Sequence, residues 1–149
     1  MIGDLNSDEI EAILHDQAIG RIGISVDDRP YVVPVSYVYD GNRIICHSAP
    51  GKKIEMMRLN PRVCFEVEHY SQINVWQSVI AFGSYRELKG EDAALAMGLL
   101  VSKLLPLIAD SPTGHDIHSV TPHGQAQVGE DTIVFCLELQ QKTGRFERP

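Results

Sequence analysis

Tyr31-Val32-Val33-Pro34-Val35-Ser36-Tyr37-Val38-Tyr39-Asp40-Gly41-Asn42-Arg43-Ile44-Ile45-Cys46-His47 is the stretch on which the architecture turns. Valine, isoleucine and tyrosine, which fit a pleated, half-buried surface, fill both flanks. Between them Asp40-Gly41-Asn42 is the strongest hairpin signal in the chain. Upstream, Arg21 to Val26 alternates, with Ile22 and Ile24 on one face, and Asp27-Asp28-Arg29-Pro30 reads as a turn. The first part is therefore an antiparallel meander. Pro34 has no N–H to give to a ladder, so it marks an edge, a bulge or a gap, places that often border a ligand.

Around this meander, Ser7 is expected to cap a short helix ending near Ala18-Ile19-Gly20, with Ile10, Ile13 and Leu14 on one face. Lys52 to Leu59 reads as a second helix with Ile54 and Met57 inward, stopped by Asn60-Pro61. Arg62 to Glu68 and Val75 to Leu88 read as strands. Glu91 to Ile108 is the longest helical pattern, with Leu95, Leu99, Lys103 and Leu107 spaced by four and Leu100 and Leu104 widening the stripe. That breadth suits packing on a sheet or on a second subunit. Periodicity vanishes from Ala109 to Asp131, a long irregular stretch of the functional or mobile kind. Ile133 to Leu139 alternates again, before a polar tail from Gly144 to Pro149. The total is about six strands and three helices, mostly hairpin-joined, in a single domain over residues 1–149. The class is mainly β (α+β): an antiparallel barrel, closed or nearly so, with helices outside. No glycine-rich fingerprint between a strand and a helix supports a Rossmann unit.

The 149 residues carry 20 acidic and 13 basic side chains, a formal charge of -7, which argues against a nucleic-acid partner. Cys46, Cys64 and Cys136 are an odd set within apolar runs and read as free thiols in a reducing compartment. Met1-Ile2-Gly3-Asp4-Leu5 lacks a basic-then-apolar signal pattern, and no segment is expected to reach the apolar length that spans a bilayer. The expectation is a cytoplasmic protein with no membrane partner.

Ser48-Ala49-Pro50-Gly51-Lys52-Lys53 poses a chemical question. A helix beginning near Pro50 directs unpaired amide N–H groups and the positive end of its dipole toward the turn. Two lysines there are misplaced for helix stability, and a bound anion resolves the mismatch, with Ser48 as a further hydroxyl donor. Two lysines on a surface helix also serve solubility alone. Trp76-Gln77-Ser78 opens the longest strand. Trp76 can stack on a ring, or pack in the core or an interface; Gln77 and Ser78 put polar groups on opposite faces. A flat ring laid beside Val32-Val33-Pro34-Val35-Ser36 could bond to backbone where proline interrupts the ladder. In the irregular stretch, His115, His118 and His123 with Asp116 match no strong zinc pattern. No metal is expected, and a loop bordering the active-site cleft is the preferred reading.

These pieces together resemble the FMN-binding split-barrel superfamily that is like pyridoxamine 5'-phosphate oxidase, and within it the 5-nitroimidazole antibiotic resistance proteins. The resemblance runs from Gly20 to Leu88: Gly20-Arg21-Ile22-Gly23, Pro30 to Tyr37, His47 to Lys53, Asn60 to Phe65, and Trp76 to Gly83, with Lys142-Thr143-Gly144-Arg145 like the closing segment. It implies a six-stranded antiparallel split β-barrel with flanking helices, a homodimer, and FMN in a groove at the subunit interface. By the resemblance, Lys52 and Lys53 hold the FMN phosphate, and His47 and Ser48 lie beside it. Pro34, Val35 and Ser36 run along the flavin ring, and Gln77 and Ser78 reach phosphate or ribityl oxygens. Trp76 joins the cofactor-binding set, and His47 is the catalytic candidate. The extended C-terminal arginine- and histidine-bearing segment by which pyridoxamine phosphate oxidases hold substrate has no counterpart here, so vitamin B6 oxidation is not expected.

The leading expectation is an FMN-dependent reductase or oxidase of a small molecule, with NADH or NADPH as a candidate donor. A flavin-binding or storage protein without efficient turnover is the alternative, and an empty dimeric scaffold a third.

Overall fold

The computed structural model describes residues 1–109 and 131–149. The chain runs β1 (Ile2–Asp4), α1 (Ser7–Asp16), β2 (Ile19–Val26), β3 (Arg29–Ser36), β4 (Val38–Tyr39), β5 (Arg43–Ser48), α2 (Lys52–Leu59), β6 (Arg62–Gln72), β7 (Val75–Leu88), α3 (Gly90–Ala109) and β8 (Ile133–Glu147). The histidines His115, His118 and His123 lie outside the described residues.

The strands form one antiparallel sheet in the order β3-β2-β6-β7-β8-β5-β4, with β1 added on β8. Ile22, Phe65, Val79, Phe135 and Ile44, from five different strands, share one buried cluster. A sheet whose successive strands feed one core must curl around it, and the free edges of β3 and β4 leave that curl open. This is the expected split barrel. Eight strands rather than six arise because β1 and β4 are short additions.

Each helix has a place set by its apolar residues. Asn6, not Ser7, caps α1: its side chain accepts from the Glu9 N–H while Glu9 reaches back to the Asn6 N–H, each at 2.9 Å. Ile10, Ile13 and Leu14 then enter the barrel core with Ile54 and Met57 of α2. The outer face of β5 and β8 is covered by α3. Ile45, Val134 and Cys136 pack there on Ala96, Met97 and Leu100, while Ile44, Phe135 and Leu137 point inward. Burial on both faces explains the near-continuous apolar runs of these strands.

Four local expectations change. The tail from Gly144 to Glu147 is not loose but the end of the 15-residue β8, paired to β7 and β1. The break in the long strand falls after Ser36 rather than at Pro34, which pairs with Arg21 and does sit on an edge, one of the places expected for it, where its missing N–H disturbs no neighbour. In α3 the packed face is Ala96, Met97 and Leu100, whereas Leu95, Leu99 and Leu107 of the four-spaced stripe are exposed. Finally, α3 has the length and apolar composition to cross a membrane, with 17% of its apolar window buried, contrary to the expectation that no segment does. Its single charge after Asp92, Lys103, turns back to donate to the Gln17 carbonyl and lies 4.4 Å from the Tyr37 ring centre. This contact joins the helix to the end of α1. All three cysteines are free, Cys46 and Cys136 being buried and Cys64 half-buried.

Candidate functional site

β3 is the first strand of the sheet, so among the described residues one of its edges has no strand partner. On β5, β4 covers only Ile44 and Ile45, and among the described residues Cys46, His47 and Ser48 have no strand partner on that side. Two open edges therefore bound the split, and α2 follows directly from β5. Its position is fixed by Ile54 and Met57 in the core and by Asn60, whose side-chain amide donates to the Ser25 carbonyl of β2 at 2.7 Å. The Arg58 guanidinium meets the Glu87 carboxylate at 2.6 Å, and the Tyr85 hydroxyl donates to the same carboxylate at 2.8 Å.

The N-terminus of α2 has the properties of an anion cradle. Gly51 is its N-cap, and among the described residues no side chain caps the first amides of the helix. Lys52 and Lys53 occupy the positive end of the dipole, while Arg58 sits in the last turn where a cation is favoured. Lys52 Nζ lies 4.8 Å from the centre of the Tyr31 ring, joining α2 to β3 across the split. The charge of Lys53 is felt by His47. Burial first, and then Lys53, holds the His47 imidazole below its usual range, so it is neutral at neutral pH. The buried Cys46 thiol is pushed strongly up and stays protonated.

Several expected site residues thus come together, with differences of detail. Pro34 and Ser36 are exposed on β3, whereas Val35 packs on the core and offers a ligand only its backbone. Ser48 donates its hydroxyl to the Ala49 carbonyl at 2.7 Å, so here it is an acceptor rather than the expected donor. Trp76, Gln77 and Ser78 are not brought to α2. Gln77 pairs with His69 and Phe146, and the Trp76 indole donates to Glu147 at 3.0 Å. Glu87, which meets α2 through Arg58, is at the far end of the same strand, about 30 Å away at roughly 3.3 Å per residue.

Two features had no signal in the local sequence. Tyr31 becomes part of the site only because the sheet curls and carries β3 to α2. A cavity of about 720 Å3 opens beside it, drawing Arg62 and Cys64 from β6, Phe82 and Ser84 from β7, and Gln140 from β8. A register shift between Phe82 and Gly83 leaves Gln140 unpaired, and its amide donates to the Ser84 hydroxyl at 3.2 Å. Among the described residues no cluster of three metal-ligating side chains occurs.

Comparison with known proteins matches the fold. A family model described as pyridoxamine 5'-phosphate oxidase matches residues 6–145. An uncharacterised protein of Rhizobium meliloti is 30% identical over 142 residues, covering 95% of this chain and 92% of its own. Among solved structures, a FAD-binding protein of Mesorhizobium loti is 28% identical with a TM-score of 0.80, covering 100% of this chain and 98% of that one. A candidate 5-nitroimidazole antibiotic resistance protein of Bacteroides thetaiotaomicron is 21% identical with a TM-score of 0.70, covering 98% of this chain and 87% of that one.

Proposed function

The chain belongs to the pyridoxamine 5'-phosphate oxidase family, and on that premise we propose that it is a flavoprotein. In this reading it holds FMN, or the FMN portion of a larger flavin, in the split between β3 and α2 and acts as an oxidoreductase on a small molecule. The observation that carries the reading is the uncapped start of α2 with Lys52 and Lys53 beside it. A dianionic phosphate satisfies the amides and neutralises the misplaced cations together. The open edge of β3 then offers backbone groups and the flat surface of Pro34 to a planar ring, with His47 and Ser48 at the other wall.

A bound flavin supplies hydride transfer at its ring. The chain's part is to anchor the phosphate through Lys52 and Lys53, to keep the ring against β3, and to present His47 as a neutral imidazole. His47 is the candidate for taking a proton at a ring nitrogen, since its lowered pKa leaves the imidazole unprotonated at neutral pH and gives it a proton to donate only below neutrality.

A second copy of the chain completes the proposed site. Val79 and Ala81 are buried in the barrel, while Ile80 and Phe82 on the same strand are 43% and 50% exposed. Ile19 and Val32 are exposed as well, and such outward apolar side chains on the sheet suit a homodimer. A dimer formed there could bring the partner's start of β7 to the groove, giving Trp76, Gln77 and Ser78 the cofactor contacts they lack within one chain. The Mesorhizobium loti relative is a FAD-binding protein, which supports a second reading, in which the cofactor is FAD.

Loading the protein with flavin and adding NADH or NADPH without oxygen tests activity. Bleaching of the flavin within seconds supports an oxidoreductase. Retained flavin that neither donor reduces supports the storage role instead.

A further inference from the structure

We infer, resting on the two-copy assembly proposed above, that Arg21, Glu66 and Glu68 form a proton switch on the outer face of β2 and β6, through which the association of two copies tightens as pH falls. Strand register places these side chains. Arg21 pairs with Pro34 of β3 on one side and with Glu66 on the other, and Glu66 pairs in turn with Ile80 of β7. Two residues along, Val32, Gly23, Cys64 and Phe82 form the neighbouring row. The residues between the rows, Ile22, Phe65 and Ala81, are buried in the barrel, so both rows turn outward. The charged cluster therefore stands among Val32, Ile80 and Phe82, the exposed apolar side chains that suit a second copy.

Arg21 Nη1 lies 3.2 Å from Glu66 Oε2 and 3.5 Å from Glu68 Oε1. The other ion pairs among the described residues each set one cation against one carboxylate. Here one guanidinium serves two, and each copy keeps one excess negative charge on this face. The neighbouring strands bring nothing that cancels it: β7 presents Ser78 and Ile80, and β3 presents Pro34 and Ser36. Arg145 of β8 is held by Asp4 at 3.1 Å, and Arg62 is four residues along β6, about 13 Å away. The helices α1 and α2 pack in the barrel core, on the opposite face of these strands.

A two-fold contact presents the same patch from both copies, so two excess charges enter one interface and lose water there. One proton on the carboxylate pair of each copy removes both charges. Burial first, and then the Glu68 charge, already holds the Glu66 carboxyl above its usual range. A covering subunit deepens that burial and raises it further. The dimer then holds protons that the monomer releases, and its dissociation constant falls as pH drops from neutral toward about 5.

The test is sedimentation equilibrium of the full chain at about pH 7.5 and about pH 5.5, for the wild type, Glu66→Gln, Glu68→Gln and Glu91→Gln. Glu91 is exposed at the start of α3, and its variant controls for the general charge of the protein. The wild-type dissociation constant is expected to fall about ten-fold at the lower pH, the size of a repulsion between like charges about 10 Å apart in a partly solvated contact. Glu66→Gln and Glu68→Gln are expected to bind tightly at both pH values, with a change below about three-fold, while Glu91→Gln follows the wild type. A wild-type dimer equally tight at both pH values, or Glu66 and Glu68 variants that keep the wild-type slope, overturns the switch and leaves the dimer standing. A monomer at both pH values overturns the two-copy assembly, and the switch with it.

Discussion

Replacing both lysines at the start of α2, Lys52→Gln and Lys53→Gln, separates a binding role from ordinary surface charge. Glutamine keeps the stem and the helix propensity and removes only the charges. A well-formed charge-assisted hydrogen bond contributes roughly 1.5–3 kcal/mol. Lys52 is exposed and also sits over Tyr31, so its share is discounted to about 0.5–1 kcal/mol. Lys53 is half-buried beside His47 and keeps roughly 1.5–2 kcal/mol. The sum, about 2–3 kcal/mol, is a loss of roughly 30- to 150-fold in flavin affinity, with Lys53 the larger part. Binding is weakened rather than lost, because the uncapped amides remain. The flavin-free variant should meanwhile gain about 0.3–1 kcal/mol of stability, since a cation at a helix N-terminus opposes the dipole. Titration calorimetry gives the affinity and urea unfolding of the flavin-free protein gives the stability. Unchanged affinity would refute the anion cradle. Affinity and stability falling together would show that the lysines hold the helix rather than a ligand.

Two further outcomes follow from the same geometry. With the His47 pKa lowered in the folded state, the unfolded chain takes up its proton first, near pH 6.5. Stability contributed by the neutral imidazole is present above that pH and falls as pH drops through 6.5 toward the folded value. His47→Asn should flatten this part of the pH–stability curve in urea unfolding, and an unaltered slope would contradict the burial assigned to His47. Gly83→Ala places a Cβ 2.5 Å from the backbone oxygen of Glu138, against main chain that cannot rotate away. A loss of about 1–3 kcal/mol is expected by urea unfolding; a loss below roughly 0.5 kcal/mol would show that the register shift there yields easily.

Much of the fold was legible in the sequence because its signals are local. Lys52 to Leu59 and Val75 to Leu88 are read to the residue, since Asn60-Pro61 and the long apolar alternation leave little room for another answer. The second half of β8 was hidden because Gln140 to Arg145 is polar on both faces and crosses a register shift, so its pairing is decided by β7 rather than by its own pattern. In α3 the residues spaced by four compete with a second apolar stripe, and only the outer face of β5 and β8 decides that Ala96, Met97 and Leu100 are packed. The same division holds at the site. Lys52 and Lys53 declare themselves by standing at the wrong end of a helix. Tyr31, Arg62, Phe82 and Gln140 carry no mark of their own, because four strands must curl before they share a wall. The separation of Trp76, Gln77 and Ser78 from α2 could not be read from spacing either, since it depends on which end of a 14-residue strand meets the helix.

The central claim, a flavin held in the split between β3 and α2 of a two-subunit assembly, is tested most directly by one measurement. The protein, incubated with FMN or FAD and freed of excess, is passed through size-exclusion chromatography with light scattering and visible absorbance recorded together. The account predicts flavin absorbance co-eluting with a dimer at about one flavin per subunit. Folded protein that elutes without flavin after both incubations would contradict the claim, and a monomer carrying flavin at full occupancy would contradict the shared site.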